Sequence, residues 1–172
     1  MRITKSPLEL VDFFLLDTQY RYVSPEGELP EADTAVFENY DVDLDYMFQP
    51  DKQDQHEIWV YVRTAINCGT DPLPGYTIFL EGTGHFRAKE QDGMSDEVWG
   101  TLLNNSALAI VINNLRSAIM QITAHGPFGK YILPSMDLAD LHHQKAAAYK
   151  AATAKKRRAK KKESISDSAE LN

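Results

Sequence analysis

Between Gly100 and Gly126 the chain contains neither glycine nor proline. The intervening TLLNNSALAIVINNLRSAIMQITAH is rich in leucine, isoleucine and alanine, and an unbroken run of this kind favours one long helix. Ser95 is placed to cap its free N–H groups, with Asp96 and Glu97 suited to the positive end of its dipole, so the helix is expected to run for roughly 28 residues. At about 100° per residue its apolar side chains form two stripes. Val98, Trp99, Leu102, Leu103 and Ile110 point one way; Leu108, Val111, Ile112, Leu115, Ile119 and Ile122 point nearly the opposite way. A helix with two apolar faces needs two partners, its own sheet and another subunit.

Four β-type segments precede the helix. Leu8–Tyr22 joins the apolar Phe13, Phe14, Leu15 and Leu16 to an alternating stretch, and the run Pro25–Pro30 reads as a loop. In Val36–Phe48, Val36, Tyr40, Val42, Leu44, Tyr46 and Phe48 share one face, and Asn39, Asp41, Asp43 and Asp45 the other. That alternation fits a half-buried strand. Glu57–Cys68 starts apolar on both faces, as a central strand would. Tyr76–Phe86 alternates and carries Gly82 and Gly84, which suggest a bulge or bend. Short connections favour an antiparallel meander of consecutive strands.

After the long helix, Gly126-Pro127 and Pro134 bound a connector in which Tyr131-Ile132-Leu133 is extended. Ser135 is the expected cap of a second helix with a modest apolar edge of Met136, Leu138 and Leu141. From Ala146 the sequence favours helix but has little to bury, so the helix is expected to fray into a disordered end at Ser164–Asn172. The fold class is therefore α+β: a four-stranded antiparallel sheet, a long helix and a second C-terminal helix. Residues 1–144 form the domain and residues 145–172 a basic tail.

The formal charge of −7 hides an asymmetry. Lys145–Asn172 holds nine Lys/Arg against three acids, whereas Met1–Gln144 holds nine against twenty-two. An acidic body is not a nucleic-acid-binding core; the cluster Lys155–Lys162 suits an acidic partner. The longest wholly apolar run, Ala107–Ile112, falls far short of a membrane span. With no secretory leader at MRITKSPLEL and a single cysteine, Cys68, the expected location is cytoplasmic.

Catalytic chemistry finds no foothold. Adjacent His142 and His143 point about 100° apart on a helix and do not share a coordination site, even with Asp137 and Asp140 near in sequence. Asp41, Asp43 and Asp45 are spaced about 7 Å apart on an extended strand, which suits a solvated or partner-facing surface better than chelation. Gly82-Thr83-Gly84 lacks the residues of a phosphate loop. Cys68 has no activating neighbour in sequence and reads as a core thiol. No enzyme activity, cofactor or metal is expected. The surplus of aromatics is the more telling feature: Tyr40, Tyr46, Phe48, Trp59, Tyr61, Tyr76 and Phe79 spread over both faces of the sheet, and any left exposed would bind apolar or extended peptide.

With four strands, a long helix, a Gly/Pro connector and a second helix in place, the chain resembles the SecB family of secretion chaperones. The resemblance rests on Val42-Asp43-Leu44-Asp45, Ile58–Ile66, Asn113-Asn114-Leu115-Arg116 and the segment Gly126–Leu141, and covers roughly Leu8–Gln144. It implies a homotetramer, a dimer of dimers whose long helices meet between two sheet layers, with Leu108, Val111, Ile112, Leu115, Ile119 and Ile122 as the expected interface. It implies ATP-independent binding of unfolded or pre-secretory polypeptides. The family's groove maps by position onto Val42 and Leu44, flanked by Tyr40, Tyr46 and Phe48, with Trp59 added as a further peptide contact. An acidic surface for the translocation ATPase SecA would involve Asp17, with Asp41, Asp43 and Asp45 as further docking residues; Tyr20-Arg21-Tyr22 departs from the family's acidic first strand. SecB-like proteins also serve as dedicated chaperones of antitoxins, a second role within the same class. Outside that class, the alternatives are a metal-dependent enzyme using His142 and His143, or a nucleic-acid-associated adaptor working through Lys155–Lys162.

Overall fold

The computed structural model describes residues 2–3, 5–25, 34–54, 56–89 and 95–169, the side chains of 34, 35, 96 and 154–169 excepted. The elements are β1 (Leu8–Val23), a 3₁₀ turn (Thr34–Asn39), β2 (Val42–Pro50), β3 (Glu57–Ile66), β4 (Gly75–Ala88), α1 (Asp96–Thr101), a π-helical turn (Leu102–Ala107), α2 (Leu108–Thr123) and α3 (Leu138–Ala169). They fall into two compact units, Met1–Leu133 and Pro134–Asn172. The boundary expected from sequence at residue 144 lies inside α3.

The sheet is antiparallel throughout, but its order is β1-β4-β3-β2 rather than a meander of consecutive strands. β2, β3 and β4 follow one another through short turns, while β1 crosses to the far edge and pairs with β4 along its whole length, a Greek key read in reverse. The crossing is possible because β1 and β2 are separated by a long connection, from Ser24 to Asp41. Most of the loop expected at Pro25–Pro30 lies outside the described residues. The strand expected over Val36–Phe48 begins only at Val42; Val36–Asn39 belong to the 3₁₀ turn.

Register sorts the side chains. Ile58, Val60, Val62, Thr64 and Ile66 of β3 pair with Phe86, Gly84, Gly82, Leu80 and Ile78 of β4, and all are buried on the face that receives α2. Gly82 and Gly84 produce no bulge; they let the helix close in. A Cβ at Gly82 would lie 3.0 Å from Leu115 Cδ2, and one at Gly84 would lie 2.7 Å from Val111 Cγ2. The irregularities sit instead in β1, where the register slips at Val11 and Leu16.

α1, the π turn and α2 form one continuous helix, with right-handed backbone at every junction. Ser95 caps it, its hydroxyl accepting from the Val98 amide at 3.4 Å. Leu108, Val111, Ile112, Leu115 and Ile119 are buried against the protomer's own sheet, which corrects their assignment to a subunit interface. Ile122, the sixth, is half-buried. Two stripes were visible in the sequence, and their spacing alone could not tell which one the sheet would take. The π turn adds a residue to one turn and rotates the preceding stretch by about 100°; Val98 is left 50% exposed, with Trp99, Leu102 and Leu103 half-buried.

The segment after α2 is fastened to the body by polar contacts. The Tyr76 hydroxyl accepts from the Phe128 amide at 2.8 Å and donates to the Gly129 carbonyl at 2.9 Å. The Tyr131 amide donates to Thr123 Oγ1 at 2.9 Å, and Arg116 Nε donates to the Leu133 carbonyl at 2.8 Å. Phe128, Tyr131 and Leu133 are buried, while Ile132 points out. Asn67, at φ 53°, closes β3 in the left-handed region and uses its amide group to bind Leu73 and the Tyr76 carbonyl. The second unit starts differently from expectation. Asp137 caps α3, accepting from the Ala139 and Asp140 amides, because its carboxylate reaches two free N–H groups; Ser135 stands two residues too early. α3 continues through Ser164 to Ala169, so the expected break at Ser164 is absent.

Candidate functional site

The helix covers the inner face of the sheet unevenly. It lies chiefly over β4, β3 and β1, and β2 forms the free edge beyond it. Val42, Leu44, Tyr46 and Phe48 stand on this inner side, paired with Ile66, Thr64, Val62 and Val60. Tyr46 is buried, with its ring against Phe48 at 5.5 Å, whereas Val42, Leu44 and Phe48 are only partly buried. The result is an apolar strip along an edge whose outward backbone groups have no strand beside them among the described residues.

The expected peptide contacts do not make one site. Tyr40 is not on a strand. It is buried between the 3₁₀ turn and β4, donates to the Pro74 carbonyl at 2.7 Å and accepts from the Tyr76 amide at 2.8 Å. Its ring packs against Phe37 and Tyr131. This phenol closes the core and is corrected from a binding residue to a structural one. Trp59 lies on the opposite, outer face, because β3 residues of odd number alternate away from α2.

The outer face carries a second arrangement. Trp59 stacks flat on His85, centroids 4.3 Å apart at 5°, with Phe14 of β1 at 6.3 Å. Its indole N–H donates to Asp51 Oδ2 at 3.2 Å. His85 Nε2 lies 2.9 Å from Glu57, whose other oxygen accepts from Arg87 Nε at 2.9 Å; the Arg87 contact holds the Glu57 carboxyl below its ordinary range. Hydrogen bonds from the Gln53 amide, the Trp59 indole and the Asp54 amide do the same for Asp51. Beside Trp59 is an open hollow of about 320 Å³ lined by Gln49, Pro50, Asp51, Lys52, Gln53 and Tyr61. Thr83, between its cross-strand neighbours Phe14 and Tyr61, is buried with its hydroxyl unpartnered among the described residues.

The acidic docking residues share this outer face but stand on opposite edges. Asp43 and Asp45 are on β2, Asp17 on β1, and Asp41 precedes β2. With two strands between them the groups are on the order of 14 Å apart. Asp45 is 3.4 Å from Arg63, and Asp17 accepts from Gln19 at 3.0 Å. Among the described residues no group of three or more His, Cys, Asp or Glu is arranged to hold a metal ion. Cys68 is exposed rather than a core thiol, because it follows the end of β3; its Sγ donates toward the Ile66 and Ile78 carbonyls, each at 3.4 Å. No helix among the described residues is long and apolar enough to cross a membrane.

Sequence reasoning passed over β1. Val11, Phe14, Leu15 and Leu16 are 44%, 43%, 47% and 51% exposed along the second free edge of the sheet. The signal was present in Phe13-Phe14-Leu15-Leu16, which is apolar on both faces; Greek-key order puts that run on an edge, where a meander would give it the same place beside a different strand.

No family model and no curated relative matches the chain. Among solved structures, the fold is similar to a SecB-like chaperone from Mycobacterium tuberculosis, solved in complex with a ChAD peptide from the HigA1 antitoxin. The two share 14% identity with a TM-score of 0.55, over 76% of this chain and 90% of that one. A protein of unknown function from Streptococcus agalactiae aligns at a TM-score of 0.42 and 12% identity, over 74% of this chain and 97% of that one. The four-stranded antiparallel sheet, long helix and C-terminal helix are thus a SecB-like fold.

Proposed function

We propose that the protein is an ATP-independent holdase that binds extended, unfolded polypeptide along the inner side of β2. The observation that carries this reading is the partly exposed apolar strip of Val42, Leu44 and Phe48 along an edge strand of the sheet. Such a surface gives affinity through many apolar contacts and backbone pairing, with little demand on sequence. The direct test is suppression of aggregation of a slow-refolding client; a light-scattering trace unchanged at a stoichiometric excess of protein would refute it.

The apolar edge of β1 supports a homo-oligomer, since a long, exposed, apolar edge strand is a template for pairing with a strand of another chain. A dimer joined there, and a tetramer formed by pairing two such dimers, is the assembly proposed; light scattering on the purified chain reads it. A narrower role, as dedicated chaperone of an antitoxin in a toxin–antitoxin system, draws support from the peptide bound to the similar mycobacterial chaperone. Protein co-purifying with the native chain separates the two: a range of precursors for general export, where SecA docking on the outer acids belongs, or one small unstable protein for the dedicated role.

A further inference from the structure

Between Leu141 and Lys162 the chain carries nine Lys/Arg and no Asp or Glu. All of this stretch lies within α3, which runs unbroken from Leu138 to Ala169. Seven of the nine cations occupy the eight positions Lys155–Lys162. At about 100° per residue, eight positions pass twice around a helix, so every face holds cationic positions. Lys156 and Lys160, Arg157 and Lys161, and Arg158 and Lys162 stand four apart, a spacing at which like charges repel. A dense anion laid against the helix relieves that repulsion.

We propose that the Lys155–Lys162 stretch of α3 docks as a helix in the major groove of duplex DNA, with no preference for base sequence. This goes beyond the holdase reading and does not rest on it. Eight helical residues span about 12 Å, which gives one cation per roughly 1.7 Å; duplex DNA carries one phosphate per roughly 1.7 Å of its axis. The groove is wide enough to admit an α-helix and flanks it with phosphates on both sides. Cations on every face are therefore all used there, whereas a flat lipid surface meets one side of the helix. Insertion among lipids has no support either, because Tyr149 is the one large apolar side chain between His143 and Lys162. The preceding positions Ala146–Ala152 are all exposed, so these turns of α3 have no buried face. Met1–Gln144, with twenty-two acids against nine Lys/Arg, is repelled by phosphate and leaves the contact to α3.

The test uses the full chain and a fluorescein-labelled DNA duplex of about 20 base pairs and mixed sequence, read by anisotropy at several salt concentrations. Log affinity is expected to fall with log salt at a slope near −6, about 0.9 for each of seven phosphates. K155Q/K156Q/R157Q/R158Q keeps good helix formers and should bring the slope near −3. Ala159→Pro keeps every charge but breaks the helix within the cluster, and is expected to weaken duplex binding by about 10-fold. An RNA duplex of the same sequence, whose major groove is too narrow for a helix, should bind more weakly, as should vesicles of phosphatidylserine in phosphatidylcholine. Unaltered affinity in Ala159→Pro would reduce the stretch to a loose polycation and overturn the docking. So would a slope shallower than −3 in the unaltered chain, equal or tighter binding to the RNA duplex or the vesicles, or no binding to DNA at low salt.

Discussion

Val111 lies so close over Gly84 that a Cβ there would stand 2.7 Å from its Cγ2, with the Phe86 ring at 2.6 Å. The helix and the sheet meet through the absence of a side chain. Both neighbours are buried and cannot retreat into solvent. Gly84→Ala is therefore expected to destabilise the fold by about 1–3 kcal/mol, the usual cost of overpacking a dense core. Urea unfolding followed by circular dichroism measures this; an unchanged midpoint would mean that the helix rides higher over β4 than described.

Tyr76 holds the connector by one phenol that both accepts and donates. Removing it in Tyr76→Phe leaves the Phe128 amide unpaired in a buried site, at a cost of about 1–3 kcal/mol. Hydrogen exchange should report the loss locally, with the Phe128 amide losing protection well before amides of β3. If protection falls equally everywhere, the connector opens only with the whole fold.

How far the sequence carried these conclusions depended on whether spacing could settle the question. Alternation placed Val42, Leu44, Tyr46 and Phe48 on one face and the aspartates on the other, and the structure has them so. The Ser95 cap was legible because a hydroxyl before an acidic first turn has one good use there. Strand order was not, because alternation says which way a side chain points and nothing about which strand lies beside it. For the same reason Trp59 could not be separated from the β2 residues until register put it on the other face. Gly82 and Gly84 misled in another way: a glycine in a strand marks either a bend or a close approach, and only the helix above them decides.

Alkaline pH should loosen the connector. Burial pushes the Tyr131 hydroxyl up to about 12, with the nearby Tyr40 acting in the same direction. An unfolded tyrosine ionises near 10. The folded state therefore keeps its proton where the unfolded state gives it up. Stability from this group is fully present below about pH 10 and is lost progressively as pH rises from 10 through 12. Tyr20, Tyr40, Tyr46 and Tyr76 are raised as well, each chiefly by burial, and steepen the decline. Thermal melts from pH 8 to 11.5 should show a falling midpoint, less steep in Tyr131→Phe. Parallel curves for the two proteins would show that Tyr131 is not among the groups responsible.

Leu44 separates client binding from stability. It is half-buried on the inner side of β2, opposite Thr64, at the strip assigned to the client. Leu44→Asp puts a charge where bound polypeptide would exclude water, while in the free protein that carboxylate still reaches solvent. The expected result is client affinity lower by about 10-fold or more, with the unfolding free energy lowered by less than about 1 kcal/mol. A loss of several kcal/mol would place Leu44 in the core.

The edge of β1 makes a sharper claim, because its two slipped residues, Val11 and Leu16, have no cross-strand partner among the described residues. Val11 and Leu16 are 44% and 51% exposed, and a charge at either is tolerated by the isolated protomer. If a second copy covers the edge, Leu16→Lys buries an ammonium on each side of a symmetric seam, at a cost of several kcal/mol to association. The expected outcome is a smaller species in light scattering with the far-ultraviolet spectrum unchanged. The outer stack of Phe14 on Trp59 stands apart from that substitution and serves as its internal control. An oligomer that survives Leu16→Lys, and a Val11→Lys companion made in the same way, would move the seam away from β1.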